Sequence, residues 1–387
     1  MKYWRGYLVA LILAACAWGL TEFAQSHWVL IDMVYPYTAR LIQNFMSQWS
    51  SGATYCLWQL FILILAAGVI ASIVLMIVLK WNPIQWFGWV LSVVSVVVLL
   101  NTGLYGLNKY AGPVADDVRL EVTDYTVSEL QDAAAFYQEK ANMLASQVKR
   151  DGSGQVDFED FDALAVQAAN GFDNLTYQEY LSIFAGDRTP VKELGWSGFF
   201  TSKGHTYVHV GITGEAAVNP ETPAVGLPFA MCQAMSKRIC IANEQDAAFA
   251  AFLACTYNES KEFQYSGYLM AYRYCYNALT DMSISSAQTA ARALQQTESL
   301  YLRRDLETYN ASFAVGSDHA YYEEKDVPLA ASEEITVSDT PLRSDVADLL
   351  VSWHIQEYVL PLLAEEEVSF DPMDETQVDL SGIKNAQ

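Results

Sequence analysis

Two uninterrupted apolar runs, 57–79 and 86–107, constrain this chain more than anything else in it. Lys80 is the only charged residue between Arg40 and Lys109. Each run is long enough as a helix to cross roughly 30 Å of hydrocarbon. Lys80-Trp81-Asn82-Pro83 makes the turn between them, with Trp81, Trp86 and Trp89 as interface anchors. A buried hairpin of a water-soluble protein would show less uniform apolarity. A third span is expected at about 6–22, behind a short basic head of Lys2 and Arg5. Leu13-Ala14-Ala15-Cys16 also matches a lipobox, but the apolar run continues past Cys16, which favours a retained span with a buried cysteine.

Charge is distributed accordingly. Four basic and two acidic residues precede position 107, whereas the remainder carries 18 basic and 43 acidic residues, within a formal net charge of −23. A soluble part so acidic repels nucleic acid and anionic lipid heads. The partner expected from composition is therefore the lipid bilayer, through the apolar helices. Between the first two spans, TARLIQNFMSQW follows Tyr35-Pro36 and reads as an interfacial helix at about 37–49. The bias of Lys2, Arg5 and Lys80 places the domain after residue 107 on the extracytoplasmic side.

The chain thus divides into a membrane part (1–110), a domain over 111–363 and an acidic tail over 364–387 whose composition fits disorder. Ser128 with Gln131 predicts a capping box that opens a helix to about Lys149. DGSGQVDFEDF (151–161) is similar to the second half of a calcium loop, with Asp151, Ser153 and Asp157 as ligands. However, the first ligand position falls on Lys149 and the last on Asp160 rather than a glutamate. A glycine-rich turn accounts for it without metal. Thr206, Tyr207, Val208, Val210 and Ile212 are the best β signals and predict a small sheet. His205 and His209 would lie roughly 13 Å apart on one strand face, too far to share a metal. The six cysteines sit in apolar helical contexts and read as buried free thiols.

Around QAMSKRICIANEQDAAF (233–249) two consecutive helices are expected, the second capped by Asn243. Gln233 and Lys237 stand four apart, the spacing of the two histidines of a helical H-E-x-x-H zinc site. GITGEAAVN (211–219), LPFAMC (227–232), NEQDAAFAAFLAC (243–255), YSGYLMAYRYCYNAL (265–279) and YGLNKY (105–110) together resemble a bacterial membrane family, domain of unknown function 3810, which is zinc-peptidase-like. Members look like T-G-E-A-x-V-N, L-P-F-x-x-C-H-E-x-A-H, E-D-E-A and Y-S-G-Y-L-x-A-x-R-Y. The resemblance implies a mainly α membrane protein, with three N-terminal spans followed by a mostly helical zincin-like domain with a small β-sheet. It places Gln233 and Lys237 at the histidine positions, Ala234 at the glutamate and Asp246 at a downstream acidic ligand. Gly214, Glu215 and Asn219 would border a groove for an extended peptide.

A catalytic zinc needs three protein ligands, and Ala234 lacks the carboxylate that would deprotonate its water. The zinc of the family is therefore expected to be lost, with Lys237 placed where the metal's charge would be, beside Asp246 or Glu244. The expected function is a membrane-anchored pseudopeptidase of the bacterial cytoplasmic membrane that binds a peptide or membrane-protein partner. Two alternatives stand beside it. One is an active peptidase with relocated ligands drawn from His205, His209, Glu215 or Asp246. The other is a structural component of an envelope complex.

Overall fold

A computed structural model describes residues 4–158, 160–177, 183–314 and 345–362. The expected acidic tail at 364–387 lies outside these residues, as does the polar, acidic stretch 317–340, which reads as a loop in the sequence. The chain opens with α1 (Arg5–Ser26), α2 (Trp28–Ser50), α3 (Leu57–Val78) and α4 (Pro83–Leu104). Among the described residues, α1, α3 and α4 are long and apolar enough to cross a membrane. The spans differ slightly from their expected limits. Helix α4 begins at Pro83 because Asn82 caps it, its side chain accepting from the amides of Ile84 and Gln85.

Helices α1 and α4 pack tightly. The Gly6 backbone lies against Gly88, and the Ser92 hydroxyl donates to Gly6 O at 2.7 Å. Small residues permit such close approach of helices in lipid. Helix α3 stands apart from both and is joined to α4 by one hydrogen bond, Trp86 Nε1 to Ser72 Oγ at 3.0 Å.

Helix α2 is longer than the expected 37–49 and runs straight through Pro36. A proline inside a helix forfeits a backbone bond and costs about 3 kcal/mol. Anchoring on both sides of it offsets this: Ile31 and Ala39 are buried, and the Tyr35 hydroxyl donates to Gly103 O. The amphipathicity of α2 is inverted relative to an ordinary surface helix. Its polar face, Arg40, Gln43, Ser47 and Ser50, is buried against the rest of the protein, while Met33, Tyr37, Leu41, Phe45 and Trp49 face outward.

After a 3-10 turn (Gly106–Tyr110) come α5 (Val114–Asp117), α6 (Val127–Ala145) and α7 (Phe161–Tyr177). The capping box of α6 is Thr126 with Glu129, not Ser128 with Gln131, and the helix ends at Ala145. Thr126 already satisfies the free amide of Glu129, which sets the register two residues earlier. Next come β1 (Lys192–Glu193), α8 (Ser197–Thr201), β2 (Tyr207–Val210) and β3 (Glu215–Val218). The small sheet has the order β1-β3-β2, with β1 parallel and β2 antiparallel to β3. It packs on α9 (Leu227–Arg238), which is followed by α10 (Glu244–Thr256) and α11 (Lys261–Asp281). The stretch 283–307 reads as one helix in the sequence, whereas the structure has two there, α12 (Ser285–Thr297) and α13 (Leu300–Ala314). Helix α14 (Val346–His354) closes the described chain and continues as a π turn over Ile355–Val359.

One core unites these helices. Tyr137 of α6, Phe172 of α7, Phe229 of α9, Phe249 of α10 and Tyr265 of α11 are all essentially buried in it. At roughly 25 cal/mol per Å2 of apolar surface, such rings dominate the burial.

Candidate functional site

Helix α9 enters through Leu227-Pro228, with proline where no helical donor is needed. It ends at Arg238, and Cys240 takes a positive φ of 76° to turn the chain toward α10. Asn243 caps α10 as the sequence predicts, accepting from the Gln245 amide. The two helices therefore meet where the resemblance places a zinc site.

The donor set there does not suit zinc. Ala234 is fully buried and presents only a methyl. The Lys237 ammonium, itself buried, donates to Ala242 O and to Glu244 Oε1, each at 2.6 Å. The second Glu244 oxygen accepts from the Tyr207 hydroxyl of β2. The buried cation at Lys237 is thus already paired with a carboxylate. Among the described residues, no three His, Cys, Asp or Glu side chains come close enough to hold a metal ion.

The two histidines proposed as relocated ligands face different surroundings. His205 approaches the Phe200 ring, whereas His209 lies against Tyr105 at 4.6 Å between centroids. Both ring nitrogens of His209 are closed off from solvent, with no hydrogen-bond partner among the described residues. Burial, with Arg238 and Lys237 nearby, pushes its pKa down to about 3, so the ring is neutral.

The GEAAVN segment holds the membrane part to the sheet. The Glu215 carboxylate, wholly inaccessible, accepts from the amides of Leu57 at 2.8 Å and Trp58 at 2.9 Å. It also accepts from Lys192 Nζ at 2.7 Å. Leu57 and Trp58 form the first turn of α3, so Glu215 caps a membrane helix from 158 residues away. Gly214 has φ +64° and presses on α2, where a Cβ would lie 2.7 Å from Ser47 N. Asn219 is buried and donates to Thr201 Oγ1 and His205 O. The polar groups of Glu215 and Asn219 are thus spent on internal bonds.

A second tie runs through Arg238, 1% exposed at the end of α9. It donates to Thr189 O, and its Nε lies 3.8 Å from an Asp187 oxygen. Burial lowers the Arg238 pKa to about 10. Asp187 also accepts from the α2 hydroxyl of Ser47 at 2.6 Å. These bonds hold its carboxyl below the usual range despite burial.

The calcium-like loop is closed by its own side chains. Asp151 accepts from Ser153 N, Ser153 Oγ and Gln155 N, while Asp157 pairs with Lys149 at 3.1 Å. Arg273 of α11 donates to Asn310 and covers the Tyr309 ring. All six cysteines are free; Cys16 is exposed on the apolar surface of α1 and the other five are buried.

A cavity of about 310 Å3 opens beside the α9–α10 turn. Its walls come from α2 (Asp32, Met33, Tyr37, Arg40), from the segment after α4 (Asn108, Gly112, Asp117), from the turn itself (Cys240) and from the first turn of α10 (Asp246). Spacing alone gives no hint of this site, since its three carboxylates lie far apart in sequence. The signal available was Asp32 and Arg40, two charges in an otherwise apolar membrane-proximal stretch.

A family model described as "Protein of unknown function (DUF3810)" matches residues 31–326. No curated protein and no solved structure matches the chain.

Proposed function

The chain belongs to the DUF3810 family of proteins of unknown function, and from that premise we propose that it is a membrane-anchored, metallopeptidase-like pseudoenzyme. In this reading the zincin-like frame has lost its catalytic centre and acts by binding a peptide or membrane partner. The observation that carries the proposal is the Lys237–Glu244 ion pair at 2.6 Å, with Ala234 beside it on α9. A zinc ligand must offer a lone pair, and an ammonium offers none. Without a metal-bound water and a carboxylate to take its proton, the hydrolytic step has neither nucleophile nor base. The basic residues Lys2, Arg5 and Lys80 support an extracytoplasmic position for the domain, at the bacterial cytoplasmic membrane.

The test is the metal content of the detergent-purified protein, measured beside a Gln233→His, Ala234→Glu, Lys237→His triple variant. The proposal expects no zinc in the natural chain and one zinc per chain in the variant. Stoichiometric zinc in the natural chain would overturn it and return the relocated-ligand peptidase. Zinc in neither protein would remove the zincin-like frame and leave a membrane-anchored binding protein.

A further inference from the structure

Helices α3 and α4 leave between them a cleft of about 990 Å3 that begins at Trp81 and Asn82 in the turn and reaches Ile64 and Val98. Val98 lies 13 residues beyond Gln85, about 20 Å along a helix at roughly 1.5 Å per residue. One leaflet of a hydrocarbon core roughly 30 Å thick is about 15 Å deep. The cleft therefore follows the path of a lipid chain from the interface to the middle of the bilayer. The hydroxyl on its wall, that of Ser72, accepts from Trp86 Nε1 and donates to Val69 O, so the wall offers hydrocarbon a satisfied surface. It is also unpacked: a Cβ on Gly68, in the middle of α3, would meet nothing within 4 Å.

Charge at the closed end narrows the choice of occupant. Lys80 sits in the turn, exposed, with a φ of +50° that side chains other than glycine seldom adopt. Helices α1 and α4 run parallel, since Gly6 meets Gly88 at one end and Ala24 shares a buried cluster with Leu107 at the other. Exposed Arg5 therefore stands at the same end of the membrane part as Lys80. The two acids that precede α3, Glu22 and Asp32, belong to the opposite end, where Asp32 accepts from Gly112 N. Positive charge at the Lys80 end thus has no acid beside it among the described residues of the four membrane-part helices. Asn82 and Gln85 line the same end of the cleft. The Asn82 side-chain oxygen is held by the amides of Ile84 and Gln85, which leaves its Nδ2 to donate. Trp81 and Trp89, each 49% exposed, are rings of the kind that settle at headgroup level.

From this juxtaposition of a leaflet-deep apolar cleft with Lys80, Asn82 and Gln85 at its closed end, we propose that the α3–α4 cleft binds one anionic glycerophospholipid from the leaflet at Lys80. The headgroup phosphate meets the Lys80 ammonium and the side-chain N–H groups of Asn82 and Gln85, and the acyl chains run along Gly68 and Val94. A choline headgroup carries the same phosphate but brings its own cation, which Lys80 and Arg5 repel, so net negative charge is selected. A helix of a second copy, about 10 Å across, would continue through the bilayer and make no use of a cationic closed end. The inference goes beyond the peptidase-like reading and does not depend on it, since the zinc content that tests that reading leaves the cleft untouched.

The experiment is native mass spectrometry of the detergent-purified full chain, with dioleoylphosphatidylglycerol and dioleoylphosphatidylcholine added in turn so that the acyl chains are the same. One phosphatidylglycerol per chain is expected, held about tenfold more tightly than phosphatidylcholine, the ratio typical of a charge-assisted hydrogen bond. Lys80→Gln should weaken phosphatidylglycerol by about tenfold and leave phosphatidylcholine unchanged. Gly68→Leu, whose Cβ enters open space, should weaken both lipids by about tenfold. Val94→Phe fills the cleft from α4 and repeats that test should Gly68→Leu fail to fold, which circular dichroism would detect. Equal affinity for the two lipids would overturn the proposal, as would phosphatidylglycerol binding indifferent to Lys80→Gln. Undiminished lipid binding in a folded cleft-filling variant would also overturn it. So would a lipid-independent dimer that Gly68→Leu dissolves, which would give the cleft to a second copy.

Discussion

Glu215 and Lys192 form a buried ion pair, 2.7 Å from Nζ to Oε1, and the same carboxylate closes the first turn of α3. The pair lies between the sheet and the membrane helix, so one residue serves both. Lys192 also donates to Ser50 O and Tyr55 O, which fixes the loop that leads into α3.

Replacing Glu215 by Ala should cost about 3 kcal/mol, because a buried ammonium and two helix amides lose their acceptor. Thermal melts of the detergent-purified protein measure this. An unchanged melting temperature would show that the cap contributes nothing. Adding Lys192→Met should recover part of the loss.

For Lys237→Met the expected cost is no more than about 1 kcal/mol, because the Glu244 side chain left behind is 71% exposed and returns to water. A loss several times larger would mean that the substitution leaves the buried Asp246 uncompensated.

Gly214→Ala should be more damaging than its single methyl suggests. The left-handed backbone and the 2.7 Å approach to Ser47 N together cost roughly 1–3 kcal/mol. Because the contact is with α2, limited proteolysis should cut the variant around α2 faster than the parent chain. Equal cutting rates would refute this.

The buried His209 makes stability depend on acid. Its folded pKa of about 3 lies below the ordinary 6.5, so the unfolded chain binds the extra proton between those values. Stability should fall as pH drops from about 6.5 toward 3, and His209→Phe should flatten that fall. Identical pH profiles for parent and variant would contradict the assignment.

Asp117 acts in the opposite direction. Its folded pKa of about 6 exceeds the ordinary 3.8, so it favours the folded state fully below 3.8 and loses that contribution as pH rises through 6. Asp117→Asn should therefore melt higher than the parent at neutral pH, with the advantage gone near pH 4. A variant less stable at neutral pH would show that Arg40 compensates the charge.

Much of the fold was legible in the sequence because its signals are local. The apolar runs of α3 and α4, the Asn243 cap and the β-branched strand Tyr207–Val210 each need only a few neighbouring residues to be recognised. Local reasoning erred where competing local signals were close, as with Thr126 against Ser128, or where distant packing stabilises an awkward residue, as with Pro36 in α2. Spacing brought Lys237 near both Glu244 and Asp246 without choosing between them. The role of Glu215 was invisible for a different reason. Its partners are backbone amides 158 positions away, and backbone amides carry no residue identity for a sequence pattern to display.

The isolation of α3 has a mechanical consequence. Helices α1 and α4 are tied by the Gly6–Gly88 approach and the Ser92 hydrogen bond, whereas α3 is bonded to α4 through Trp86 and Ser72 next to the connecting turn. Its far end is clamped by a carboxylate on the central strand of the sheet. A sideways load applied to α3 would therefore reach β3 as through a lever, with the turn at Lys80 as its pivot and the Glu215 cap as its grip.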